Sequence, residues 1–378
     1  MSRLLARLDA ELVGCRSPSR WVEIHAERAC YFAKVGRFQE AKSIIQQLRL
    51  KHGEALLGRG IVRVMIAEGL VHYFENVSVS ARDRFFRAYL VSTLTGDPDL
   101  GRLACSWVAH LDFDQGAFAD AFSNLDKAFD GLDRTELAAI SRVGLILGDA
   151  YLYVGEREKA QYWYERARHA AVDEGDQASL GAVMYNRSAF GVSRLLLEKF
   201  AFGRGPDEQV LRFCEMELDS AWEFQKGTNV RTLFHLIDVC RSKVLLLQRR
   251  FVDARKLLAH TQVKIESLED RPNRNGLTVE LAYAQYMSGD VDGASKLMGG
   301  WDVAQLQALD VDDRLVALGM LQSEMKDVAE VFPWYSSLDG LLQQSLVQYE
   351  AECSLVKKGL DALDESHKSR FDIRFSPI

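Results

Sequence analysis

An alanine opens the apolar stripe of a helical segment at residues 41, 81, 121 and 160, so the stripe returns after 40, 40 and 39 residues. Alanine takes the same place at 254 and 294, again 40 apart. Small residues held at such an interval mark one supersecondary unit repeated in tandem. A single unit cannot bury its own apolar face, and stacking neighbours does it instead. Only six prolines interrupt the 378 residues, as long helices require.

Residues 147–167 define the unit. Leu147, Gly148 and Tyr151 share one helical face. Gly155 can adopt the left-handed conformation that ends a helix. Glu156 and Glu158 then sit at the positive end of a second helix dipole. Ala160, Tyr164 and Ala167 form that helix's inner stripe, and the small residues at 148 and 160 let the two backbones approach. The stretch therefore reads as a helix–turn–helix hairpin. It resembles a tetratricopeptide repeat, whose pattern asks for Leu-Gly-x-x-Tyr, then Gly, then Ala-x-x-x-Phe-x-x-Ala. Here Tyr164 stands for the Phe. The resemblance implies an all-α fold, a right-handed α-solenoid (superhelix) of about seven hairpins closed by C-terminal capping helices. Each unit is about six residues longer than the family's usual 34, which lengthens the helices. Similar long-unit arrays occur in bacterial signal-sensing and regulatory proteins.

Taken in order, residues 1–20 read as an N-terminal helix and linker, and 21–301 as the repeat array. The first hairpin carries Ala29, Phe32, Gly36, Phe38, Ala41, Ile45 and Leu48. In the second, Gly69 takes the small position and Ala81, Phe85 and Ala88 the stripe, while the turn Asn76–Ser80 lacks a glycine. The third carries Ala109, Gly116, Phe118, Ala121, Leu125 and Ala128. The fifth has Ala182 and Tyr185, then Cys214, Leu218 and Ala221, a step of 54 that places an insertion of roughly fourteen residues around 199–208. The sixth has Phe251, Ala254 and Leu258, with Arg249 where glycine is expected. The seventh has Ala282, Gly289, Val291, Ala294 and Leu297. Residues 302–364 read as capping helices over the last hairpin and 365–378 as a tail.

Composition sets the class. Apolar residues make up 48% and charged residues 27%, normal for a globular protein, and the net charge of −7 argues against nucleic acid as a partner. No run of eighteen apolar residues exists, so no membrane span is expected. The opening segment lacks an apolar signal core, and Asp9 and Glu11 argue against a transit peptide, so a cytoplasmic protein is expected. Six scattered cysteines without Cys-x-x-Cys spacing read as reduced core residues.

No catalytic motif appears: no Walker loop, dinucleotide fingerprint, His-Glu-x-x-His or Gly-x-Ser-x-Gly. Phe202–Gly205 is a flexible turn rather than a phosphate loop. His110 and Asp114, four apart on a helix, read as a local hydrogen bond rather than a metal site. Leu111–Asp114 and Asp310–Asp313 lack the glycine and glutamate of a calcium loop and read as solvated turns or helix starts. Arg241, Lys243, Arg249, Arg250, Arg255 and Lys256, diluted by Asp238 and Asp253, read as a salt-linked helix surface. No cofactor, metal or enzymatic activity is expected.

Function then falls to the concave face lined by the first helix of each hairpin. By register it presents Arg63, Tyr73, His110, Asp114, Arg142, Asp149, Tyr153, Asn186, Arg187, Lys243, Tyr283 and Tyr286. Aromatics and arginines are what interfaces concentrate at their centres. Asn186 and Arg187 suit a peptide carboxylate or backbone, or else bond between repeats. Tyr283 and Tyr286 suit an interface or packing on the cap. The expectation is a non-enzymatic scaffold or adaptor that binds a protein or peptide, compatible with a homo-oligomer. The alternative is a peptide or ligand sensor regulating an associated effector in a bacterial signalling or defence system.

Overall fold

The computed structural model describes residues 2–51, 57–76, 80–230, 232, 234–265 and 271–367. Among these the chain is all-helical and no strand occurs. The helices are α1 (Arg3–Gly14), α2 (Pro18–Lys34), α3 (Phe38–Lys51), α4 (Arg59–Asn76), α5 (Ser80–Thr95), α6 (Pro98–Asp114), α7 (Phe118–Phe129), α8 (Leu137–Tyr153), α9 (Arg157–Glu174) and α10 (Gln177–Phe200). They continue as α11 (Glu208–Thr228), α12 (Phe234–Leu247), α13 (Phe251–Ile265), α14 (Arg271–Met287), α15 (Val291–Met298), α16 (Val303–Gln307), α17 (Val311–Gly319), α18 (Lys326–Ala329) and α19 (Leu338–His367). No helix among the described residues is long and apolar enough to cross a membrane.

Neighbouring helices pack in pairs, and the turns within the pairs share one construction. Gly36, Gly116, Gly155 and Gly289 all have positive φ, between 72° and 91°. The next N–H, of Arg37, Ala117, Glu156 or Asp290, donates back to the carbonyl of Phe32, Asp112, Tyr151 or Gln285. This closes the last helical turn as a glycine C-cap does. Arg249 occupies the same place with φ 60°, and Arg250 N–H donates to Leu245. The sixth hairpin thus keeps the turn without the glycine, and holding an arginine in that conformation costs about 1 kcal/mol. The second turn, around Asn76, falls on residues 77–79, outside the described ones.

The alanine stripes lie inside. Ala41, Ala81, Ala121, Ala160, Ala254 and Ala294 are all buried, and so are Phe85, Leu125, Tyr164, Leu218 and Leu258. In the last hairpin Met298 is buried and Leu297 only partly so, because four residues beyond Ala294 complete the helical turn. The small position also serves close approach. A Cβ on Gly148 would lie 2.7 Å from the Tyr164 ring, and one on Gly69 2.7 Å from Phe85.

The chain forms two compact units. The first holds the described parts of 1–183, 228–232 and 352–378, with four complete hairpins, α2 to α9. In an open stack each repeat meets only its neighbours. This unit departs from that. Helix α1, the expected N-terminal helix, buries Leu4, Leu5 and Leu8, and Leu4 N–H donates to the Gly175 carbonyl at the end of the fourth hairpin. Ser2 Oγ donates to the same carbonyl at 2.8 Å, and Arg7 pairs with Glu174 at 2.9 Å. Lys34, at the end of α2, pairs with Asp176. The first hairpin therefore meets the end of the fourth.

The end of α19 also lies within this unit. Tyr153 donates to Glu352 at 2.8 Å and Tyr151 to Asp364 at 3.2 Å. His367 stacks on Phe129 and bonds Asp126, while Gly359 sits against the Phe122 ring. Residues 352–367 cover the third and fourth hairpins.

The second unit contains the described parts of 184–227 and 233–351. The fourteen-odd extra residues do not form a long loop. They extend α10 to 24 residues and α11 to 21, leaving only 201–207 as connection. Gly191 of α10 faces Cys214 of α11, pairing the two helices. Tyr283 is the centre of the later hairpins. It is fully buried between Phe200 and Phe251, and donates to Glu324 at 2.6 Å.

Candidate functional site

The first helices of hairpins two to four bring a polar cluster together in the first unit. Tyr73 lies in the last turn of α4. His110 and Asp114 lie one turn apart near the end of α6, and Arg142 and Asp149 two turns apart on α8. Tyr73 Oη stands 3.0 Å from His110 Nε2, which stands 3.4 Å from Asp114 Oδ2. The Arg142 guanidinium lies over the Trp107 ring at 3.6 Å, a cation–π contact. Trp107 also stacks with Phe85 and meets Tyr73 and His110 edge-on. Tyr164 donates to Asp149 at 2.6 Å.

The concave-face assignment expects these side chains exposed. The structure corrects this: His110 is 4% exposed, Arg142 7% and Asp149 1%. Both faces of α6 and α8 are covered, so inward-pointing polar groups leave bulk water. Tyr283 in the second unit is likewise fully buried, and the Lys243 side chain there is mostly covered. Tyr153 is half-buried and engaged by Glu352. Arg63 is mostly covered and pairs with Glu27 at 3.3 Å. Asn186 and Arg187 lie on α10 in the second unit, where the Arg187 guanidinium sits 4.4 Å over Phe213. Tyr286 is half-buried on α14. The structure thus gathers Tyr73, His110, Asp114, Arg142 and Asp149, and leaves the other expected positions in separate surroundings.

Burial decides the protonation of this cluster. His110 is held neutral, first by desolvation and then by the nearby Arg142 charge. Its Nδ1 is buried without a hydrogen-bond partner, so the proton belongs on Nε2, facing Tyr73 and Asp114. Tyr73 is pushed far up by desolvation and the Asp114 charge, and stays a phenol. Arg142 behaves unlike the other arginines around it. Arg59, Arg82 and Arg102 bind their protons more tightly through bonds to Asp99, Asp112 and Glu136. Arg142 is shifted the opposite way by desolvation, and no hydrogen bond or ion pair joins it to any described residue.

Several functional neighbours escaped the sequence reading. Trp107 lies one turn before His110, a spacing that could have pointed to it. Lys34 and Asp176 lie 142 residues apart, with no local signal linking them. Asp112, expected in a solvated turn, is 1% exposed; it pairs with Arg82 and accepts from Asn124 at 2.9 Å. Four members of the basic stretch do pair with carboxylates: Arg241 with Asp219, Lys243 with Glu280, Arg250 with Asp253, and Arg255 with Asp290. None of the six cysteines forms a disulfide among the described residues, and burial pushes the thiols of Cys30 and Cys105 up to about 12. Neither is a nucleophile near neutrality.

A second ionisable cluster lies in the second unit. Lys243 stands 3.4 Å from both Glu280 and Asp313, so one ammonium serves two carboxylates. Glu280 is 4% exposed, and desolvation raises its carboxyl to about 7 despite the ammonium. Half-buried Asp312 moves the same way. A carboxyl whose folded-state pKa lies above its unfolded value keeps a proton that the unfolded chain releases, so stability falls as pH rises between the two values. The second unit should therefore be more stable at pH 5.5 than at pH 8, by about 2 kcal/mol from Glu280. Glu280→Gln should flatten the profile. Thermal melts across that range that rise with pH, or a Gln variant with an unchanged profile, would refute this.

No protein-family model matches this sequence, and a search of curated proteins finds no match.

Proposed function

We propose that this chain is a non-enzymatic binding array of the tetratricopeptide type, a right-handed superhelical stack. In this reading it takes a short peptide or small ligand on the inner face of its first unit and signals to an associated effector. The recurrent glycine-type turns and buried alanine stripes support the repeat reading. The single observation that carries the ligand class is the burial of His110, Arg142 and Asp149 in a unit whose first hairpin is tied to the end of its fourth. A folded protein surface does not reach such residues without opening the unit; a peptide or small molecule entering beside Asp114, whose side chain is 38% exposed, demands less opening. The scaffold reading, with a large protein on the concave face, ranks second for the same reason.

Native mass spectrometry on the full chain purified from its own host tests this. A peptide-sized or smaller adduct is expected, and it should be lost in the Tyr73→Phe/Arg142→Gln double variant. Recovery of only folded protein partners, retained equally by the double variant, would favour the scaffold and overturn the ligand-binding reading.

A further inference from the structure

Arg142 is the most informative side chain in the first unit. It is 7% exposed, its guanidinium face is covered by Trp107, and no described residue hydrogen-bonds or ion-pairs with it. None of its nitrogens is sealed from solvent without a partner, so the five donors of the fork stay within reach of a ligand. The fork geometry matches a carboxylate held bidentately. An anion alone is nevertheless a poor fit. Lys34 is neutralised by Asp176, and the other charges acting on Arg142 are the carboxylates of Asp114 and Asp149. Their sum is one negative charge in excess of the guanidinium. Asp149 already accepts from Tyr164 and is 1% exposed. Asp114 is reachable, with its side chain 38% exposed, and a carboxylate can accept several bonds.

Taking the inner face as the binding surface argued above, we infer that the Arg142 region recognises a dipolar ligand, an amino acid or short peptide with both termini free. Its carboxylate lies on the Arg142 fork beside Trp107, and its ammonium group faces Asp114. Each end supplies the charge the other side of the cluster lacks, so neither terminus alone suffices. His110 remains neutral and Tyr73 remains a phenol, so both orient Asp114 without competing for the ligand's charge.

The test uses the full chain and calorimetric titration with L-alanine, Ala-Ala and Ala-Ala-Ala, each free, N-acetylated, C-amidated or blocked at both ends. At least one free member is expected to bind, and blocking either end should weaken it at least tenfold. Arg142→Gln should remove the penalty for amidation, and Asp114→Asn the penalty for acetylation. Circular dichroism melts of both variants control for folding, and Arg142→Lys, which keeps the charge but not the fork, should bind at intermediate strength. Binding that ignores blocking overturns the dipolar assignment while leaving a ligand-binding array intact. No binding by any free member overturns it as well, and the adduct measurement above then decides separately whether the array binds ligands.

Discussion

Gly148→Ala is expected to destabilise the first unit by about 2–4 kcal/mol and to lower its melting temperature by roughly 5–10 °C. The added methyl would lie 2.7 Å from two atoms of the Tyr164 ring and 2.9 Å from its root carbon. A ring met near its root cannot swing aside as a flexible chain end can. Tyr164 is also 1% exposed and fixed by its bond to Asp149, so retreat would break a buried hydrogen bond. Helix α8 has a second close approach one turn earlier, where a Cβ on Gly144 would lie 3.0 Å from the Trp163 carbonyl oxygen. The two helices cannot separate locally without disturbing that contact. Gly205→Ala, in open space with nothing within 4 Å, is the control and should change stability little. Urea denaturation of both variants measures the difference. Equal midpoints would show that the hairpin has slack where the repeat argument requires contact. The coupling should also appear in a double-mutant cycle with Tyr164→Leu, since each residue's effect depends on the other.

That experiment probes the part of the fold that was legible in the sequence. Gly148 with Tyr164, Gly155 at the turn and the alanines at 41, 81, 121 and 160 all act within one hairpin, where spacing alone fixes which side chains meet. Even Arg249 was locatable, because the register demanded a turn at its position whatever residue stood there. The candidate site was legible only in part. Tyr73, His110, Asp114, Arg142 and Asp149 were placed on the correct helices, since first-helix positions follow from the period. Their burial was not legible. It depends on Leu4 meeting Gly175, Lys34 meeting Asp176 and the end of α19 meeting α7 and α8, contacts spanning 142 to 241 residues. No periodicity encodes such pairings, and a repeat pattern read alone assumes that each unit touches only its neighbours. Tyr153 shows the consequence: its register is that of an interface residue, yet its hydroxyl is taken by Glu352.

The largest loss is expected at the more buried of the ion pairs in that closure. Asp176→Ala removes the partner of Lys34, whose side chain is only 13% exposed, and leaves an ammonium largely out of water. Breaking a buried pair from one side typically costs about 3–5 kcal/mol. Asp176 also caps α10, accepting from the N–H groups of Ala178 and Ser179 at 3.1 and 3.2 Å, and losing such a cap costs about 1 kcal/mol more. The combined effect should therefore be on the order of 5 kcal/mol. Hydrogen exchange should localise it to α1, the end of α2 and the start of α10, while α6 and α7 change least. Two further variants separate pair from cap. Asp176→Asn keeps the cap but strands Lys34, and Lys34→Met added to it should recover most of the loss, because a paired removal leaves no lone charge. The pH dependence carries the opposite sign to that of Glu280. Burial works against the Asp176 charge, but Lys34 and the bonds from Ser179 prevail and hold its carboxyl below the usual range. Its stabilising contribution is then complete above the unfolded value near 4 and is lost as pH falls below it. Acid should therefore loosen the contact between the first hairpin and the end of the fourth in the wild type, and do so much less in the Lys34→Met/Asp176→Asn variant, where only the more exposed Arg7–Glu174 pair remains to be broken. Exchange at α1 that is indifferent both to acid and to Asp176→Ala would mean that the apolar contacts of Leu4, Leu5 and Leu8 close the unit without the ion pair.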